Sequence, residues 1–314
     1  MKHRAFRFCA LIAAVAVFAC GCKPLVKDED IPESFTVYAS FYPIYALADL
    51  VIGGEIPGMT LKQLIQPQDG CLRSYALSDW DAYLASHADA LILGGSGLES
   101  FESAFTELGA DGPAVISCMS SLVLKNGGDG EDHFAGVNPW LFLSVEGAMD
   151  ITEAVCANMI ALDEPYESKY IANLNRAYER LLALKNEMAE IMRECDITLP
   201  VALAHEGLRY FSDEWGLNAV CELKRESGNV PDEDEWSEMA NLLAETEACA
   251  VLVEKQAPKA FTDFLEESGY IVIRLDTLST GTESLGSQGY FDAQRANANA
   301  VRDGLSMKSI GDKR

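Results

Sequence analysis

Cysteine and histidine are the side chains here that could hold a metal, carry a lipid or pair as disulfides, and their placement separates those uses. The nine cysteines stand at 9, 20, 22, 71, 118, 156, 195, 221 and 249, and the histidines beyond the first few residues are His87, His133 and His205. From Cys71 onward no CxxC knuckle occurs, so structural zinc through thiolates is not expected, and the spacing selects no disulfide pairing. His205-Glu206 lacks the second histidine one helical turn on that a zinc protease needs. Gly94-Gly95-Ser96-Gly97 lacks the lysine and hydroxyl ending of a phosphate loop and the spaced glycines of a dinucleotide fingerprint. No nucleophile elbow or catalytic carboxylate pair is recognisable, so the chemistry expected is binding rather than catalysis.

Cys20 and Cys22 belong to a different chemistry. Lys2, Arg4 and Arg7 give a basic start, Phe8 to Ala19 is an uncharged run too short to span a bilayer, and Ala19-Cys20-Gly21-Cys22 closes it with small residues. This is the pattern of an export signal. A cysteine after small residues at its end marks a bacterial lipoprotein, with Cys20, or alternatively Cys22, as the acylated residue; an ordinary secretory signal is the other reading. Both place the mature chain on the extracytoplasmic side. Against 49 acidic residues the chain has 24 basic ones, a net charge of −25, which argues against nucleic acid and against lying flat on anionic lipid.

The elements that must position the remaining candidates are legible as alternating runs. Phe35 to Ala39, Thr60 to Ile65, Ala90 to Leu93 and Ala114 to Ser117 read as strands, separated by helical or loop stretches at Tyr42 to Val51, Ser78 to Ser86 and Leu98 to Leu108. The pattern returns with strands at Leu199 to Ala204, Ala219 to Leu223, Ala250 to Val253 and Ile271 to Leu275, and helices at Gly207 to Trp215, Asp232 to Glu247 and Lys259 to Ser268. Alternation of this kind implies parallel sheets flanked by helices, hence an α/β chain of two lobes. Between them Tyr166, Tyr170, Leu174, Ala177, Leu181, Leu184, Met188 and Ile191 form one apolar face. A helix from Pro165 to Arg193 would run roughly 43 Å, the height of both lobes. The expected organisation is a signal peptide at 1–19, a lipid-anchored linker at 20–34, a first lobe at 35–142, a connecting helical segment at 143–195, a second lobe at 196–306 and a tail at 307–314.

An exported lipoprotein of two α/β lobes joined by one long helix resembles the metal-type substrate-binding proteins of ABC importers, the zinc and manganese family. The resemblance is carried by Val37-Tyr38-Ala39-Ser40-Phe41-Tyr42-Pro43-Ile44-Tyr45, by Ala88 to Glu99, by His205-Glu206-Gly207-Leu208-Arg209-Tyr210-Phe211 with Trp215-Gly216-Leu217, and by Val251 to Glu254 and Ile273 to Asp276. It implies an ABC permease and its ATPase as partners, a lipid anchor at the cell membrane, and Zn2+ or Mn2+ as the transported ligand, held between the lobes by three histidines and a carboxylate. His205 stands at the third ligand position and Asp276 at the fourth. At the first, the family's Pro-His-x-Tyr is Leu72-Arg73-Ser74-Tyr75; at the second, its Asp-Pro-His is Asn138-Pro139-Trp140. Arg73 repels a cation and Trp140 cannot ligate one.

Three readings follow. Metal is still bound through His205 and Asp276 with Cys71, Asp69 or His133 as substitutes; the pocket takes an organic or anionic solute, with Arg73 as anchor and Trp140 as wall; or the lobes serve as an interaction module. In a cleft without metal, Arg73 is expected to reach across to Asp276, with the Trp140 indole face offered to its guanidinium, a pair that an entering divalent ion would have to displace. His87 reads as an exposed bystander, and Glu254 as a buried carboxylate beside the cleft.

Overall fold

The computed structural model describes residues 34–54, 56–68, 72–126, 136–223 and 230–306. The leader with Cys20 and Cys22, the linker, Asp69, Cys71, His133 and the tail lie outside them.

In the first lobe β1 (Phe35–Ala39) is followed by α1 (Tyr42–Ile52), β2 (Met59–Gln63), α2 (Asp79–Ser86), β3 (Ala90–Leu93), α3 (Glu102–Thr106) and β4 (Ala114–Ser117). All pairings are parallel, in the order β2-β1-β3-β4. The central strand β3 is buried at every position, which is why Ala-Leu-Ile-Leu shows no alternation. Helix α1 starts with Pro43 in its first turn, where the missing N–H costs nothing, and α2 starts with a reciprocal Ser78–Asp81 capping box.

Two helices then cross between the sheets. Helix α4 (Val145–Leu162) is capped by Ser144, whose hydroxyl accepts from the Gly147 amide. Helix α5 (Glu167–Met192) follows a short 3-10 turn, Glu164–Tyr166. Its 26 residues rise about 39 Å. Tyr170, Ala177, Leu181, Leu184 and Met188 of the expected stripe are buried, with Asn173 and Met192 on the same face. Asn173 donates to Val51 O in the first lobe at 2.7 Å, which satisfies its buried amide.

The second lobe repeats the first: β5 (Val201–Leu203), α6 (Leu208–Glu214), β6 (Ala219–Glu222), α7 (Glu233–Glu245), β7 (Ala250–Glu254), α8 (Lys259–Glu267), β8 (Ile271–Leu275) and α9 (Gln288–Leu305). Its sheet is parallel in the order β6-β5-β7-β8. Helix α9 packs on β8, on α5 and on α1, and so ties the last strand to both the connecting helix and the first lobe.

Alternation along β5 and β7 divides the core. Val201, Leu203, Ala250 and Leu252 face a large cluster that runs without a break from the first lobe through α4, α5 and α9. Ala202, Ala204, Val251 and Val253 face the other way, into a smaller cluster closed by Met239, Leu243, Phe261 and Leu265 of α7 and α8. The five described cysteines, Cys118, Cys156, Cys195, Cys221 and Cys249, are free thiols.

Candidate functional site

In both sheets the first strand lies inside the sheet with the second strand on one side and the third on the other, so the loops leaving β1, β3, β5 and β7 open at a switch point. In the first lobe Glu99 braces those loops. Its carboxylate accepts from Ser40 Oγ at 2.5 Å and from the Gly94 and Gly95 amides, each at 2.8 Å. Full burial pushes the Glu99 pKa up to about 7, with these three hydrogen bonds and the neighbouring Glu102 as smaller influences, the bonds opposing the rise. The loop turns at Gly97, whose φ of +83° favours glycine, and a Cβ there would stand 3.1 Å from Arg73 Nη2.

Arg73 sits in the 3-10 turn Leu72–Ser74, anchored by the fully buried Leu72. Its Nε donates to Gly97 O at 2.8 Å and its Nη2 to Val137 O at 3.4 Å. These bonds turn Nη1 toward the second lobe, where Glu206 Oε1 lies 3.7 Å away, with both side chains about one-tenth exposed.

Asn138 stitches the same place together. Its side-chain nitrogen donates to Glu206 O at 2.9 Å, its side-chain oxygen accepts from the Trp140 amide at 3.1 Å, and its carbonyl accepts from Tyr210 Oη at 2.9 Å. Trp140 is buried, and its ring meets the His205 imidazole edge to face at 4.6 Å and Phe142 at 5.6 Å. The indole nitrogen has no hydrogen-bond partner among the described residues. Gly207 permits the packing: a Cβ there would lie 2.7 Å from two indole carbons and 2.9 Å from His205 Nδ1.

His205, buried at the start of the loop after β5, accepts the Gly207 amide on Nδ1 at 3.0 Å. A ring nitrogen that accepts carries no proton, so the neutral ring holds its proton on Nε2 and presents a donor there.

Asp276 is engaged elsewhere. Its Oδ2 lies 2.5 Å from Lys255 Nζ, its Oδ1 accepts from the Leu278 amide at 2.7 Å, and its backbone is bonded on both sides by Asn297. The expected pair between Arg73 and Asp276 is therefore corrected. Among the described residues Arg73 pairs with Glu206 and Asp276 with Lys255, because the guanidinium is aimed by Gly97 and Val137 while β7 delivers Lys255 directly beside the end of β8. The indole's ring neighbours are His205 and Phe142 rather than the guanidinium. Arg73, Trp140 and His205 are thus brought together, and Glu206, read from sequence only as a neighbour of His205, joins them. The signal for it was a mostly buried arginine, Arg73, which needs a carboxylate opposite. His87 is exposed at the end of α2, bonded to Tyr83 O, and Glu254 is buried. No group of three or more His, Cys, Asp or Glu side chains able to hold a metal occurs among the described residues.

The chain is 24% identical over 318 residues to the manganese-binding lipoprotein MntA of Halalkalibacterium halodurans, covering 98% of this chain and all of that one. Its fold is similar to that of FpvC from Pseudomonas aeruginosa in complex with Mn2+, at 20% identity, a TM-score of 0.75 and coverage of 86% of this chain and 98% of that one. It is also similar to the metal-dependent lipoprotein YcdH from Bacillus subtilis, at 18% identity, a TM-score of 0.69 and coverage of 87% and 99%. The profile of the periplasmic zinc-uptake complex component A matches residues 37–304. That span takes in both lobes and the helices between them, and by it the chain belongs to the ZnuA family, the solute-binding proteins of ABC metal importers.

Proposed function

We propose that this chain is a lipoprotein of the extracytoplasmic face of a bacterial cell membrane, anchored through Cys20 or Cys22, that holds a solute between its lobes and hands it to an ABC permease and its ATPase without catalysing a reaction. The family match over both lobes carries the reading. It is supported by polar groups of the two halves meeting where the strand-end loops converge: Arg73 with Glu206, Asn138 with Glu206 O, and Gln68 N with Ser279 O at 3.0 Å.

A divalent metal is the solute that the relatives' names suggest, and His205 and Asp276 are the family-type ligands that remain, with Cys71 and His133 as further candidates. The chemistry of the described groups fits a bare cation poorly. His205 spends its lone pair on Gly207, Asp276 is neutralised by Lys255, and Arg73 places a permanent positive charge in the cleft.

Native mass spectrometry of the protein purified without chelator tests the reading: a stoichiometric adduct is expected, and a mass equal to the bare chain in every preparation would count against it. Membrane fractionation tests the anchor. Replacing both Cys20 and Cys22 with Ser should release the protein or leave it unprocessed, and unchanged retention would reject lipidation.

A further inference from the structure

The chain between β8 and α9 is rooted in the second lobe and held by the first. At its root Asn297 Oδ1 accepts from the Asp276 amide at 2.6 Å, and Asn297 Nδ2 donates to Asp276 O at 3.0 Å. Gln256 Nε2 donates to Thr277 Oγ1 at 3.3 Å and to Ser279 Oγ at 2.9 Å. From the Ser279 carbonyl onward the partners change sides. Ser279 O accepts from the Gln68 amide at 3.0 Å, Gly281 O from Gln63 Nε2 at 3.3 Å and Glu283 Oε2 from the Gln63 amide at 3.1 Å, while the Ser287 amide donates to Asp49 Oδ2 at 2.7 Å. Ser279 is the border, with its hydroxyl on one lobe and its carbonyl on the other.

Tyr42, buried in the first turn of α1, fastens the segment. A Cβ on Gly281 would stand 2.0 Å from its Cδ1, and one on Gly289 would stand 2.1 Å from its Oη. Two glycines therefore make the room that the ring fills, and Oη donates to Gly286 O at 3.0 Å. Close packing of this kind does not slide: the ring must be withdrawn before the segment can leave the first lobe. The root is different. Leu278 has φ +67°, a left-handed conformation that costs energy in any residue but glycine, and its amide donates to Asp276 Oδ1 at 2.7 Å.

We infer that residues 280–287 form a strap that moves with the first lobe, with Tyr42 as its catch, and that Thr277 to Ser279 is the hinge across which the second lobe moves against it. A hinge needs only a few loop residues that absorb a change of φ and ψ, and a strained Leu278 between two sets of fixed partners is such a place. Asp276 stays on the second lobe, one residue before the hinge, so parting the lobes moves it relative to the first lobe without loosening the strap. The inference concerns motion and holds whichever solute is bound.

The test is double electron–electron resonance on the full mature chain, with nitroxides carried on p-acetylphenylalanine so that the native thiols stay unlabelled. Lys62 and Leu285, both exposed, read the strap against the first lobe; Glu267, also exposed, and Leu285 read it against the second. The Lys62–Leu285 distance distribution is expected to be narrow and the Glu267–Leu285 distribution roughly twofold broader. Tyr42→Ala should broaden the first roughly twofold, and Gly281→Ala, which sets a methyl against the ring, should do the same. Tyr42→Phe keeps the ring and loses the bond to Gly286 O; it should broaden the first distribution less, and it serves if Tyr42→Ala does not fold. Leu278→Gly, which frees the hinge, should broaden only the second. Equal widths in the parent, or a broader Lys62–Leu285 distribution there, would overturn the inference. So would a Lys62–Leu285 distribution unmoved by the Tyr42 and Gly281 substitutions, which would leave the ring as packing and nothing more.

Discussion

The Arg73 guanidinium of the first lobe and the Glu206 carboxylate of the second face each other at 3.7 Å, with each side chain about one-tenth exposed. Removing one partner deprives the other of its opposite charge in a largely desolvated place, whereas removing both takes the two charges away together. Arg73→Gln and Glu206→Gln should each destabilise the protein by roughly 2–3 kcal/mol, and the double variant should fall short of the sum by about 1 kcal/mol or more. Urea denaturation of the four proteins measures the coupling, and strict additivity would show that the pair does not connect the lobes.

Gly207 has an ordinary helical backbone, φ −57° and ψ −30°, so its identity is set by space and not by conformation. Gly207→Ala puts a methyl 2.7 Å from indole carbons of Trp140. The expected cost is about 1–3 kcal/mol, seen as a fall of several degrees in Tm. With Trp140→Phe in the same chain the penalty of Gly207→Ala should shrink, which a loss caused by helix entropy or solvation would not do.

Glu99 gives the fold a pH dependence of unusual sign. Its folded pKa of about 7 lies above the unfolded carboxyl value, so the folded state keeps a proton that the unfolded state releases. Its contribution is complete below the unfolded pKa, declines as pH rises towards about 7, and is level above that. The decline should be on the order of 3 kcal/mol at most. Denaturation series from pH 5 to 8 should show the slope in the parent and its loss in Glu99→Gln; the same slope in both would assign it to another group.

Metal should raise the melting temperature little in the parent, since a cation entering the cleft meets a guanidinium and a protonated Nε2. Arg73→His combined with Trp140→His removes that charge and supplies two imidazoles. Zn2+ or Mn2+ at a hundred times its Kd should then stabilise the variant by about 2.7 kcal/mol. A large metal-induced rise in the parent, lost on His205→Ala, would show that a cation binds at His205 all the same.

Periodic features were legible before the structure. The buried run of β3 and the apolar stripe of α5 declare themselves because burial imposes a repeat on local sequence. Tyr166, Leu174 and Ile191 are only partly buried: Tyr166 lies in the 3-10 turn before α5, and Asn173 and Met192, each one residue aside, take the buried face in place of Leu174 and Ile191. His205, Arg73 and Trp140 were found by their residue types. Their pairings were not: Arg73 and Glu206 stand in different lobes with three strands and both connecting helices between them in the chain, and the choice between Glu206 and Asp276 depends on where Gly97 O and Val137 O point the guanidinium. Lys255 escaped notice for a similar reason, as only the register of β7 on β8 brings it to Asp276.

The division of the core in the second lobe has a dynamic consequence. Helices α7 and α8 bury Met239, Leu243, Phe261 and Leu265 against one face of the sheet only, in a cluster that does not merge with the large core shared by the two lobes, α4, α5 and α9. Such a layer can detach as a unit while the rest stays folded. Amides of α7 and α8 should therefore exchange with solvent through a partial opening that costs less than global unfolding, whereas those of α4, α5 and α9 should exchange only when the whole protein opens. The outer flank of the second lobe is then the first to yield, and the wall that carries His205, on the other side of the same strands, outlasts it.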